Sequence, residues 1–226
     1  MNGRLETIAQ RYARLRAEVP AHVTIVGVSK LQSAQAVHEA VEAGVEHIGE
    51  NYVQEAGRKF DELAAIRSRF TGHFIGHVQT NKAKRIAATF DMVQSLDRLE
   101  AADALAKAAA LLGKRLPVLL QVNISPTERY GCPPQAVESF AEQVRAYESL
   151  RLDGIMAIGP ITTDRAAVAY AFERAAKLWK KVGGPILSLG MSADWREAVA
   201  AGSTMIRAGS VIFGPRPVRS MSKTPG

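Results

Sequence analysis

Short runs rich in Val, Ile and Leu recur along this chain, each followed by a stretch of helical character. The runs fall at residues 23–30, 47–50, 73–78, 92–96, 118–124, 152–158, 186–189 and 205–212, eight in all. Residues 33–43, 53–65, 81–89, 97–112, 135–149, 163–181 and 193–201 between them read as helices. Ser33 and Asp97 stand as caps at two helix starts, and Gly44 and Gly113 as stops. An amphipathic helix over 4–17, with Leu5, Ile8, Tyr12 and Leu15 at helical spacing, precedes the first run. Alternation throughout, with no hairpin signal, predicts an α/β fold with a parallel sheet covered by helices. Eight units in 226 residues fit a single (β/α)8 TIM-type barrel with an extra N-terminal helix. An open doubly wound sheet is the alternative. However, Ser29-Lys30-Leu31-Gln32 follows the first strand, where that fold carries a Gly-rich turn. The barrel is expected over 1–214, with a flexible tail over 215–226 marked by Pro215, Pro217 and Pro225.

Composition narrows the class of function. No apolar run approaches the ~20 residues of a spanning helix, and the N-terminus has no apolar signal core. The lone Cys132 allows no intramolecular disulfide, so a cytoplasmic protein is expected. A net charge of +7 raises nucleic acid as a partner, yet the basic residues are dispersed. Only Lys82, Lys84 and Arg85, and Arg216, Arg219 and Lys223, come near to clustering. A positive field serves a small anionic ligand equally well.

The strand at 23–30 runs without a break into Lys30. In a parallel barrel the carboxyl ends of the strands converge on one mouth. A lysine there can simply reach solvent, or sit in a partly dry cleft. In a dry cleft, desolvation favours the neutral amine that Schiff-base chemistry with an aldehyde needs. Asn51, His77, Gln79, Asn123, Ser125, Met156, Ile158, Ser192, Arg207, Gly209 and Ser210 are placed at the same mouth by their strands. Ser192 before helix 193–201 and the turn at Gly209 suit an anion, since barrel phosphate sites lie after strands 7 and 8. Singly, Ser192 reads as a helix cap and Gly209 as a bend. Together with Lys30 they favour a phosphate ligand bearing an aldehyde. His73 and His77 lack a third ligand at metal spacing, Trp179 and Trp195 read as packing residues, and Cys132 has no neighbouring base.

Six segments resemble the pyridoxal phosphate homeostasis protein family. They are Val-Gly-Val-Ser-Lys30, Gly49-Glu-Asn-Tyr-Val-Gln-Glu55, His73-Phe-Ile-Gly-His-Val-Gln-Thr-Asn-Lys82, Gln121-Val-Asn-Ile-Ser125, Leu189-Gly-Met-Ser192 and Ala201-Gly-Ser-Thr-Met-Ile-Arg-Ala-Gly-Ser-Val-Ile-Phe-Gly214. The resemblance implies a barrel similar to the alanine racemase N-terminal domain, with pyridoxal 5′-phosphate held as a Schiff base on Lys30. It implies Ser192, Gly209 and Ser210 at the phosphate, Met191 beside them, and Arg207 facing the pyridine nitrogen. Asn51 would lie beside the ring, with His77 and Asn81 as outer supports. The implied role is intracellular buffering and delivery of this vitamin B6 cofactor by a monomer. Its partners would be the cofactor and, as candidates, apoenzymes that use it. A racemase or related enzyme is the alternative, and a barrel enzyme acting on another phosphorylated substrate is a third reading. Three positions depart from the family pattern. Lys30-Leu-Gln-Ser33 replaces Lys-Thr-x-Pro, Arg129 stands where a Lys is usual, and Gly159-Pro160 adds a residue.

Overall fold

The computed structural model describes residues 6–125 and 130–215. Arg129, and the expected tail beyond Pro215, lie outside the described residues. Eight strands form one closed parallel barrel in sequence order. They are β1 Thr24–Val28, β2 His47–Glu50, β3 Thr71–Phe74, β4 Met92–Leu96, β5 Leu116–Val122, β6 Leu150–Ala157, β7 Ile186–Met191 and β8 Met205–Ala208. The opening helix is α1 Ile8–Glu18, and β1 to β4 are followed by α2 Ala34–Glu42, α3 Val53–Glu62, α4 Ala83–Thr89 and α5 Leu99–Leu111. After β5 to β8 come α6 Val137–Arg145, α7 Arg165–Val182, α8 Trp195–Ala200 and the short α9 Ser210–Phe213. No helix among the described residues is long and apolar enough to cross a membrane.

The barrel closes where β1 pairs with β8, from Thr24 opposite Met205 to Gly27 opposite Ala208. The helices bury their apolar faces on the outside of the sheet, where Phe74, Phe90, Phe172 and Leu105 are fully buried. A separate group of Met92, Leu119 and Met156 packs apart from that shell. Met92 alternates onto the same side of β4 as Gln94, so this group fills part of the barrel interior.

Alternation was correctly readable, whereas several element ends were not. The third strand, expected over 73–78, ends at Phe74. Beyond Ile75 the backbone passes so close to β2's exit that a Cβ on Gly76 would sit 2.1 Å from the Asn51 carbonyl oxygen. The eighth strand, expected to run through Ile212, stops at Ala208. Val211 and Ile212 are β-branched, but the Gly209 carbonyl accepts from both Ile212 and Phe213 and starts a helical turn. Arg11 of α1 then caps that turn, its Nε donating to the Ile212 carbonyl at 2.7 Å. Ser33 caps α2 as expected, accepting from the Ala36 N–H at 3.1 Å. Asp97 does not cap α5. Arg98 occupies that position without a side-chain capping bond, and Asp97 instead pairs with the Arg98 guanidinium at 2.8 Å.

The β5–β6 ladder carries an irregularity between Val118 and Leu119, where the register jumps from Leu152 to Gly154. Gly154 has φ +140°, and a Cβ there would lie 1.9 Å from the Ile186 carbonyl oxygen. Gly154→Ala therefore combines left-handed strain with a backbone clash, and should destabilise the fold by about 1–3 kcal/mol or more. Urea unfolding should show a lower midpoint at an unchanged slope.

Candidate functional site

At the carboxyl ends of the strands lies a cavity of about 320 Å³. Lys30, Asn51, Met191, Ser192, Arg207, Gly209 and Ser210 all line it, which brings together seven residues drawn from four strand ends. His77 and Asn81 are not among its lining residues. His77 stacks on Tyr130 with ring centroids 4.1 Å apart and stands 3.8 Å from Asp97. Asn81 is exposed in the short 3₁₀ turn Thr80–Lys82. Larger hollows of about 730 and 750 Å³ lie among the loops after β5 and β6, and one of about 410 Å³ lies between α3 and the end of α4, and none of the seven residues lines any of them. Converging chemistry, and not volume, makes the smaller cavity the candidate site.

Arg207 dominates its electrostatics. The residue is buried at 4% exposure, with no ion-pair partner among the described residues. Its Nη1 donates to the Ser188 carbonyl at 2.9 Å and to Ser188 Oγ at 2.7 Å, and Nη2 donates to the Ala157 carbonyl at 2.9 Å. Burial lowers its pKa to about 10, against a smaller upward pull from Asp194, so the guanidinium stays charged at neutral pH. A buried cation whose hydrogen-bond acceptors are all neutral, with a carboxylate acting on it only from a distance, has room for a further acceptor or anion. In the same cavity, Asn51 Oδ1 is buried with no hydrogen-bond partner among the described residues.

Ser192 is placed differently from the expected cap. Asp194 precedes α8, and its Oδ1 accepts from the Met191 N–H at 2.5 Å. Ser192 Oγ instead accepts from the Gly209 N–H at 3.1 Å, tying the loop after β7 to the loop after β8. The next two amides, of Ser210 and Val211, open α9 and have no helical acceptor of their own.

Lys30 is half-buried, and its backbone is clamped on both sides by a buried charge network that sequence reading missed. Lys59 on α3 ion-pairs with Glu50 at the end of β2, and also donates to the Ser29 carbonyl at 2.8 Å. Ser29 Oγ donates to the same Glu50 carboxylate at 2.6 Å. On the other side, Leu31 sits at φ 64°, a left-handed conformation costly for a side chain with a Cβ. Glu55 holds it there, accepting from the Leu31 N–H at 2.7 Å and from Lys59 at 3.1 Å. The visible signal was Glu55 and Lys59 at i,i+4, together with a charge ending an apolar strand. Burial pushes the Glu50 carboxyl above the usual range, while Lys59 and Ser29 pull it down. Cys132 is buried and its thiol is raised to about 11 by burial, which leaves it a poor nucleophile.

The chain matches the family described as "Alanine racemase, N-terminal domain" over residues 4–217. It is 40% identical over 225 residues to the pyridoxal phosphate homeostasis protein of Pseudomonas aeruginosa, covering 94% of this chain and 97% of that one. Its identity to the protein of the same name in Escherichia coli K12 is 37% over 209 residues, 87% of each chain. The chain belongs to the pyridoxal phosphate homeostasis protein family. Among solved structures of similar proteins is PipY of Synechococcus elongatus with PLP bound, at 34% identity and a TM-score of 0.87. That match covers 92% of this chain and all (100%) of PipY. Alanine racemase of Clostridium difficile shares the fold at 15% identity and a TM-score of 0.73, with 95% of this chain and 58% of the racemase covered. This homeostasis-family barrel thus corresponds to one part of a longer racemase chain.

Lys59→Met would leave the Glu50 carboxyl buried without its cation, and should cost about 3–5 kcal/mol at neutral pH. Glu50's folded pKa is already raised, so its contribution is fully present below the unfolded value and lost as pH rises through the folded one. Without Lys59 the folded pKa moves further up. The deficit of the variant against wild type in urea should therefore shrink as the pH is lowered from 7 toward 5.

Proposed function

We propose that this protein binds pyridoxal 5′-phosphate as a Schiff base on Lys30 and acts in holding and handing on the cofactor, not in catalysis. The observation that carries this reading is one cavity lined both by Lys30 and by the buried guanidinium of Arg207. The cavity fits the group. It offers an amine for the aldehyde, a permanent donor for a ring nitrogen, and the Ser192 and Ser210 hydroxyls with the first amides of α9 for a phosphate. Asn51, with its buried Oδ1 unpartnered among the described residues, is suited to a polar substituent of the ring. PipY, similar over nearly the whole chain, has been solved with PLP bound, which supports the same ligand here.

Bound pyridoxal phosphate supplies an electron sink, whose strength depends on protonation of its ring nitrogen. Arg207 can donate to that nitrogen but not protonate it at neutral pH, which keeps the sink weak. The Lys59–Glu50–Glu55 network holds the backbone on both sides of Lys30 in the turn after β1. Two-base racemisation would need an acid–base group on each face of the bound amino acid. Apart from Lys30, no side chain lining the cavity among the described residues has a suitable group, since Arg207 stays charged and the rest are Asn, Gln, Ser, apolar or Gly. Handing on a cofactor implies that apoenzymes requiring it are the recipients.

Protein loaded with pyridoxal phosphate should show a Schiff-base absorption band, and borohydride should fix the pyridoxyl group on Lys30. Mapping to another lysine in wild type would overturn the assignment. Lys30→Ala should lose the band while unfolding at a midpoint close to wild type. Pyridoxal without its phosphate should bind about 10- to 100-fold more weakly, as loss of a charge-assisted contact set requires. Equal affinity for the two would remove Ser192, Gly209 and Ser210 from the proposal. In deuterated water the loaded protein should exchange the α-proton of L-alanine negligibly, and rapid exchange with loss of optical activity would favour the racemase reading.

A further inference from the structure

The Arg207 guanidinium is also the upper end of a hydrogen-bonded row that crosses the barrel interior. Ser188 Oγ on β7 accepts from Arg207 at 2.7 Å and donates to Gln94 Oε1 on β4 at 2.8 Å. Gln94 Nε2 lies 2.9 Å from His73 Nδ1 on β3, and His73 Nε2 lies 2.9 Å from His47 Nδ1 on β2. Ser188, Gln94 and His73 are all within 1% exposure. His47 is half-buried where β2 begins, beside a small hollow lined by Tyr12, Arg16 and Glu46 at the opposite end of the barrel. Barrel interiors are usually filled by layers of branched apolar side chains. Four polar side chains from four strands, in unbroken contact, replace part of those layers here.

We propose that Ser188, Gln94 and His73 are positioning residues for Arg207, forming a row whose direction is set by the guanidinium and which holds it against the cavity.

The direction follows from donor and acceptor counts. A guanidinium only donates, so Ser188 Oγ must accept from it and turn its own hydrogen elsewhere. The Gln94 carbonyl oxygen takes that hydrogen, which points the Gln94 amide at His73 Nδ1. His73 Nδ1 must then be bare, so His73 carries its proton on Nε2 and donates to His47 Nδ1. His47 in turn carries its proton on Nε2. Each bond runs the same way, from the mouth of the barrel to its floor. Both imidazoles are consistent with this, for burial drives His73 down to about 3 and lowers His47 against a weaker upward pull from Glu46. A hydroxyl or an amide could reverse in isolation. Arg207 cannot, so the whole row has one orientation.

Nitrogen-15 NMR of the wild-type protein at neutral pH, without cofactor, reads the imidazole tautomers directly. His73 and His47 should both be Nε2–H. A Nδ1–H or doubly protonated His73 would overturn the row's direction and with it the proposal. The consequence for the cofactor rests on the function proposed above and needs a second measurement. Ser188→Ala should weaken retention of added pyridoxal phosphate about 5- to 10-fold, as expected for one lost hydrogen bond to a charged group. It should also shift the absorption band, and the His73 tautomers should become mixed. Gln94→Met, which removes the amide but keeps the volume, should do the same although it does not touch Arg207. Unchanged affinity and spectrum in both variants would overturn the positioning role. Wild-type protein that takes up no pyridoxal phosphate, yet shows the Nε2–H tautomers, would instead sink the proposed function and leave the row's direction standing.

Discussion

Closure of the barrel between β1 and β8 is the constraint on which the site depends. Lys30 follows the first strand, and Arg207, Gly209 and Ser210 belong to the last strand and the turn after it. Only the pairing of Thr24–Gly27 with Met205–Ala208 makes them neighbours. An open sheet with the same local elements would leave them at opposite edges. Closure also explains α1, which packs beneath the last turn and sends Arg11 to the Ile212 carbonyl, so the opening helix braces the end of the barrel.

Inside that frame the described residues include two buried cations with different solutions to the same problem. Removing a charge from water is costly unless geometry repays it. Lys59 is compensated by carboxylates, and its position then fixes Ser29 and Leu31 on either side of Lys30. Arg207 donates to carbonyls and one hydroxyl, with no carboxylate in an ion pair with it among the described residues and only the more distant pull of Asp194. The first arrangement makes a rigid turn. The second leaves a buried donor lining the cavity, and both place polar atoms where an apolar core would pack more simply.

Much of the outline was legible because a buried parallel strand and an amphipathic helix each write their own period into the sequence. What period cannot report is where a strand stops for reasons outside itself. Val211 and Ile212 look like strand residues, yet a carbonyl at Gly209 captures two amides and turns the chain. His77 was expected at the end of a strand that had already ended, because Gly76 must pass against Asn51. Ser192 and Asp97 have the chemistry of caps, but each was claimed by a nearer partner, the Gly209 amide and Arg98.

The sequence by itself determined the alternation and the order of the eight strands, since each depends on local spacing, and it led Lys30, Asn51, Ser192, Arg207, Gly209 and Ser210, though not His77, to the cavity that they line. Tertiary structure alone decided which polar side chains meet. Gln94, Ser188 and His73 are unremarkable letters in three apolar strands. They become one row because closure points their side chains at a common axis, where a buried hydrogen-bonding group must find a partner from whichever strand stands opposite. The same holds for Glu50 and Lys59, whose pairing is a property of where α3 crosses the end of β2 and of the low dielectric between them.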